Sequence, residues 1–150
     1  MARRSPTAPA PGRSRPTPDS AEPLARTAKA VLAIEILATY VRARWLLLRG
    51  DLPAALRRLR GGGRAAEAVT YDFTAVRLSH AVTRILSALP MDAKCLVRSL
   101  VLTAVLARRG IASTLVIGVR PGDGFAAHAW VEADGRALLP DEGFARLHAL

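Results

Sequence analysis

At 150 residues, 51% of them hydrophobic, the chain is long enough for one domain with a packed core and too short for two. Its formal charge of +10, from 22 basic and 12 acidic residues, would attract nucleic acid, anionic lipid or an acidic peptide. A single cysteine excludes an internal disulfide and a CxxC pair, and no set of four zinc ligands stands out, which favours a reducing, cytoplasmic setting with no metal and no cofactor expected.

Residues 1–23 hold Pro6, Pro9, Pro11, Pro16, Pro18 and Pro23 beside Arg3, Arg4, Arg13 and Arg15. Such a segment buries too little apolar surface to offset its ordering entropy and reads as a disordered arm. Residues 24–89 then form the helical part of the domain. Leu24 to Arg49 is rich in Ala, Leu, Ile and Val and predicts a helix. Its apolar stretch from Ala30 to Val41 is interrupted by Glu35 and falls short of the ~20 residues that span a bilayer. With Trp45 and flanking arginines, peripheral contact with a membrane surface remains open.

A short helix starts at Pro53, runs through Arg60 and ends at Gly61-Gly62-Gly63. Between Arg42 and Arg64 lie seven arginines against Asp51 alone, a local charge of +6. The interleaved aromatics of a single-strand binder are missing, so this cluster reads as a solvated face and nucleic acid is not expected. A third helix covers Asp72 to Leu89, with Leu78, Val82, Ile85 and Leu89 as its apolar stripe and His80 facing solvent. Pro90 stops it.

Residues 90–150 form the remaining part. Cys95 to Arg109 predicts a central helix with Leu96, Leu100, Val101, Ala104 and Val105 buried, Asp92 as N-cap and Gly110 as left-handed terminator. The periodicity then switches. Ala112 to Val119 predicts a buried strand, Pro121 to Gly124 a turn, and Phe125 to Ala133 with Arg136 to Leu139 a hairpin around Asp134-Gly135. The fold class is therefore α+β, N-terminal helices plus a cysteine-bearing central helix packed on a small antiparallel sheet.

Cys95 at a helix start is placed where unpaired backbone N–H groups and the helix dipole favour a thiolate. His128, in the strand Phe125-Ala126-Ala127-His128-Ala129-Trp130-Val131-Glu132, is its candidate base. Counting outward from a type I′ turn at Asp134-Gly135 pairs Ala133 with Arg136, Glu132 with Ala137, Val131 with Leu138 and Trp130 with Leu139. The same count sets His128 opposite Asp141, where directly opposed Cβ atoms lie about 4.5–5.5 Å apart. Asp141 then holds one imidazole nitrogen while the other serves Cys95. Asp134 belongs to the turn, Glu132 to the cleft or to a surface ion pair, and Glu142 to the opposite face. Each residue has a plainer alternative: a core cysteine, a satisfied buried histidine, an aspartate capping a terminal turn.

The run Cys95-Leu96-Val97-Arg98-Ser99-Leu100, then Arg108-Arg109-Gly110-Ile111, Leu115-Val116-Ile117-Gly118-Val119, and Phe125 to Glu132 before Asp134-Gly135 resembles the transglutaminase-like leader peptidases of lasso-peptide biosynthesis. The resemblance covers residues 90–141 strongly and the preceding helices loosely. It implies a papain-like cysteine protease that removes the leader from a ribosomally made precursor, with a separate ATP-dependent cyclase closing the macrolactam. The family's cysteine falls on Cys95, its histidine on His128 and its third member on Asp141. Members with a fused winged-helix-type domain recognise the leader themselves. The residues before Leu24 leave no room for one, so a split form with a separate leader-recognition protein is implied.

In that reading the Cys95 thiolate attacks the scissile carbonyl, the Cys95 N–H is the first oxyanion donor, and Arg98 is structural or lines the cleft. Two alternatives stand beside it. One is acyl transfer to an amine, since a thioester does not dictate its acceptor. The other is a non-catalytic basic adaptor for a peptide, membrane or nucleic acid.

Overall fold

The computed structural model describes residues 21–61, 73–90, 94–120 and 126–150, with side chains from Arg26 onward. Four helices, α1 (Ala21–Arg49), α2 (Leu52–Arg60), α3 (Phe73–Ser87) and α4 (Cys95–Ala107), precede four strands, β1 (Thr114–Arg120), β2 (Ala126–Ala133), β3 (Arg136–Ala137) and β4 (Ala145–Ala149). The arrangement is α+β, as the change of periodicity after Gly110 predicts. Most of the expected N-terminal arm, Arg64, the Asp92 cap and the turn at residues 121–124 lie outside the described residues.

α4 is the axis of the fold. From Val97 to Leu106 every residue but Arg98 is buried, so the helix is covered on all sides. α1, α2 and α3 pack on it from the helical side and the sheet from the other. Gly110, at φ 71°, terminates it in the left-handed conformation: the Gly110 N–H reaches Ala107 O and the Ile111 N–H reaches Leu106 O, which absorbs carbonyls the helix end would leave bare. The helix proper stops at Ala107, which leaves Arg108 and Arg109 to turn toward α1.

Both arginines converge on Glu35. Arg109 forms a two-pronged pair with its carboxylate, at 3.1 and 2.7 Å, while Arg108 reaches Glu35 at 3.2 Å and the Thr39 hydroxyl at 2.8 Å. The acid that interrupts the apolar run of α1 is thus the partner that fixes α1 to α4. α1 begins three residues earlier than expected, with Pro23 tolerated in its first turn. α2 is capped by Asp51, whose Oδ1 accepts from the Ala54 N–H at 2.7 Å. Its last residue, Arg60, donates through Nη2 to Ser113 O at 2.8 Å and Leu150 O at 3.1 Å.

α3 buries Ala75, Leu78, Ser79, Val82 and Leu86, so the inward face is centred between Leu78 and Leu86, with Ile85 and Leu89 at its margin. His80 is exposed, as predicted.

The sheet is antiparallel with order β3-β2-β1-β4. This is a Greek-key sequence, in which the fourth strand returns to lie beside the first. The hairpin turn is the predicted one, with Asp134 at φ 51° and Gly135 at φ 70°, both in the left-handed region. Its inner register is also as counted: Ala133 pairs with Arg136, Glu132 with Ala137, and the Leu138 N–H reaches Val131 O at 2.8 Å. The ladder then ends. Pro140 has no N–H to contribute, and the chain leaves β2 to cross to the far edge, so the expected pairing of His128 with Asp141 is not part of the sheet. β4 is an element the sequence reading left out.

Candidate active site

Cys95 is the first residue of α4 and is half-buried. Lys94 precedes it at the N-cap position with extended backbone and makes no side-chain cap hydrogen bond. The first intrahelical hydrogen bond runs from the Arg98 N–H to Lys94 O at 3.2 Å. The amides of Cys95, Leu96 and Val97 therefore have no acceptor within the helix, which leaves a positive helix end around the sulfur.

His128 sits on β2 opposite Gly118. β3 is only two residues long, so the outer edge of β2 beyond Val131 has no strand beside it. Val131 O points to that outer edge, and by the alternation of an antiparallel strand Ala129 O does too. Ser99 fills the gap: its hydroxyl, buried, donates to Ala129 O at 2.9 Å. Ser99 lies one turn past Cys95 on the same helix face, and Ala129 is the neighbour of His128. This bond sets the cysteine end of α4 against the histidine end of β2.

The connection from β3 to β4 must pass over this end of the sheet because its two strands occupy opposite edges. It lies against the imidazole. His128 Nε2 lies 3.0 Å from Pro140 O, and the ring packs at 5.2 Å from Phe144 and stacks at 6.2 Å and 17° on Trp130. Arg120 lies over the Phe144 ring at 4.5 Å and reaches Glu142 O at 3.4 Å. A carbonyl can only accept, so Nε2 carries the proton and Nδ1 holds the lone pair.

Asp141 is therefore not the atom that meets the ring. Its Oδ1 accepts from the Gly143 N–H at 3.2 Å, shaping the turn in which Glu142 and Gly143 both have positive φ. The outward count reached the right segment, and the group that His128 finds there is the carbonyl one residue earlier. Among the described residues no hydrogen bond joins Cys95 to His128. Pro140, Phe144 and Ser99 are contributors that the sequence reading missed. Ser99 was legible as the residue one turn on from Cys95, whereas a backbone carbonyl carries no side-chain signal.

Gly118 makes room for the stack. A Cβ there would come within 2.6 Å of the Trp130 ring and 2.7 Å of Ala145 O. Trp130 in turn donates through Nε1 to Glu132 at 2.9 Å, and Glu132 pairs with Arg146 of β4. Glu132 is thus held in a cross-sheet network. Arg98, one turn below Cys95, has its Nε buried without a partner among the described residues.

Among the described residues, no group of three or more His, Cys, Asp or Glu side chains is placed to hold a metal ion. A groove between α1 and α3, lined in part by Lys29, Arg77, His80, Arg84 and Arg109, includes neither Cys95 nor His128. Among the described residues no helix is long and apolar enough to cross a membrane.

No curated protein and no solved structure matches the chain. A family model, that of the transglutaminase-like superfamily, matches residues 30–149 and so spans α4, the sheet and nearly all of the helical part. With a helix-start cysteine and a strand histidine at its centre, the chain belongs to the transglutaminase-like superfamily.

Proposed function

We propose that the protein is a cysteine peptidase that removes the leader from a ribosomally synthesised lasso-peptide precursor before macrolactam formation. The superfamily supports thiol chemistry of the peptidase or acyltransferase kind. The narrower assignment rests on the likeness of residues 90–141 to the leader peptidases. The single observation that carries the catalytic part is the hydrogen bond from Ser99 to Ala129, which sets the Cys95 end of α4 against the His128 end of β2.

In this mechanism Nδ1 of His128 takes the Cys95 thiol proton, and the thiolate adds to the scissile carbonyl. The oxyanion develops beside the first-turn amides of α4. Collapse of the adduct expels the amine, which receives its proton from Nδ1, and leaves a thioester on Cys95. Water, deprotonated by the same nitrogen, hydrolyses the thioester and restores the thiol. Pro140 O fixes the tautomer throughout. Asp141, next in the chain, is the third member of the proposed triad. It acts through the turn it shapes and through its negative charge toward the imidazolium.

A separate leader-recognition protein and an ATP-dependent cyclase complete the proposed pathway. The test is cleavage of a candidate precursor peptide, followed by mass spectrometry, with the leader-recognition protein present and absent. Cys95→Ala is expected to abolish cleavage, and unchanged cleavage by that variant would sink the reading. A product joined to an added amine in place of a hydrolysed one would assign acyl transfer instead.

A further inference from the structure

The inner face of α1 is fixed in the core by Ile36, Tyr40, Ala43 and Leu46. Its outer face is apolar as well. Val31, Ile34, Leu37, Val41, Trp45 and Leu48 are all exposed, Ile34 and Val41 by 66% and Leu48 by 81%. At 3.6 residues per turn these six side chains fall within an arc of about 120° and run some ~26 Å along the helix. Between Val31 and Leu48 no charged residue falls within the arc. Arg44 flanks one margin, and Arg42 and Arg49 flank the other. Arg49 lies over the Trp45 ring at 4.2 Å.

A single exposed leucine needs no explanation, but a continuous stripe of this length does. Its occupant has to be apolar in the middle and anionic at both margins. A second copy of this chain fails that requirement, since pairing two such faces brings the arginines of one against those of the other in a protein of charge +10. α1 is among the helices that do not meet the length and apolarity needed to cross a bilayer. The opposite face of α1 is buried in the core, so the rest of the domain supplies the polar side, and an apolar arc about 120° wide with an indole within it and arginines at its edges is what a lipid interface accommodates.

We infer that the outer face of α1 is a docking surface for an anionic lipid bilayer, with the apolar stripe seated among the acyl-chain ends and Arg42, Arg44 and Arg49 at the headgroups. This is independent of the peptidase reading, because neither Cys95 nor His128 belongs to α1. It places the enzyme on a surface, with substrate arriving in two dimensions.

The test is flotation of the full chain with vesicles of phosphatidylcholine alone and of phosphatidylcholine mixed with phosphatidylglycerol. Binding to the mixed vesicles is expected, falling about fivefold for each of the three arginines replaced by glutamine. Ile34→Glu with Val41→Glu, both at exposed helical sites, is expected to lower it at least about tenfold with an unchanged circular dichroism spectrum. Trp45 fluorescence is expected to shift to the blue and to be quenched by brominated lipid, a response that Trp45→Phe removes while the buried Trp130 remains.

Failure to bind mixed vesicles overturns the assignment and returns the stripe to a protein partner with acidic margins. Binding that the Ile34/Val41 variant retains in full overturns it too, since charge alone would then suffice. A wild-type dimer in sedimentation that the same variant dissolves would assign the face to a second copy.

Discussion

Ser99 gives its hydroxyl proton to the Ala129 carbonyl inside the protein, at 2.9 Å, in the place where a third strand would have bonded had β3 been longer. A helix side chain thus completes a strand edge. Ser99→Ala leaves that carbonyl buried and unsatisfied, which costs about 1–3 kcal/mol. A urea-unfolding midpoint lowered accordingly, together with a fall in peptidase rate, is the expected result. An unchanged midpoint would show that the bond does not organise this junction.

The imidazole's partner is a backbone carbonyl, so the charge of Asp141 and its turn-forming role can be separated. Asp141→Asn keeps an oxygen for the Gly143 N–H and removes only the charge. It is expected to lower kcat/KM about tenfold, about 1.4 kcal/mol in the barrier, with little change in stability. Asp141→Ala removes both and is expected to lower stability as well. Comparison of steady-state rates with thermal unfolding for the two variants makes the distinction.

Gly118→Ala is expected to destabilise by about 1–3 kcal/mol, because the added methyl meets both the Trp130 ring and a backbone oxygen that cannot rotate away. The near-ultraviolet circular dichroism of Trp130 is expected to change with it. A Gly118→Ala protein with wild-type unfolding temperature would mean that the sheet relaxes freely around the stack.

Glu35 gives acid stability a defined direction. The Arg109 hydrogen bond is the largest influence and holds its carboxyl below the ordinary glutamate value of 4.5; partial burial opposes this, and the charge of Arg109 and the contacts of Arg108 add to the lowering. A carboxyl that binds its proton less readily when folded stabilises the fold above its unfolded value. That contribution is lost as pH falls through the folded value. Glu35→Gln is therefore expected to be less stable than wild type at neutral pH, by about 1 kcal/mol for a partly solvated ion pair, and to converge with it in acid. Urea titrations across pH 2–7 check the convergence, with this range taken as roughly the carboxylate window.

The helices were legible from helix-forming composition with chemical punctuation: Pro53 in the first turn of α2, Pro90 after α3, Gly110 after α4. The hairpin was legible for the same reason, since Asp134-Gly135 admits positive φ at both positions. β4 was not. Its sequence, Ala145-Arg146-Leu147-His148-Ala149, has no β-branched residue and its side chains are exposed, so what makes it a strand is the open edge of β1. Cys95 and His128 could be named from residue type and local context. The atom facing His128 could not, because Cα register places residues and the partner is a main-chain oxygen whose position depends on where the ladder stops.

The return of β4 to the side of β1 has a mechanical consequence. The segment that carries Pro140 and Phe144 is anchored at both ends, by β3 on one edge of the sheet and by β4 on the other, and its two contacts with the imidazole lie between those anchors. The orientation of the histidine ring is thus tied to both edges of the sheet at once. Loosening β4 from β1 would therefore be felt at His128 through Pro140 and Phe144, without any change in the residues that hold α4 to the other helices.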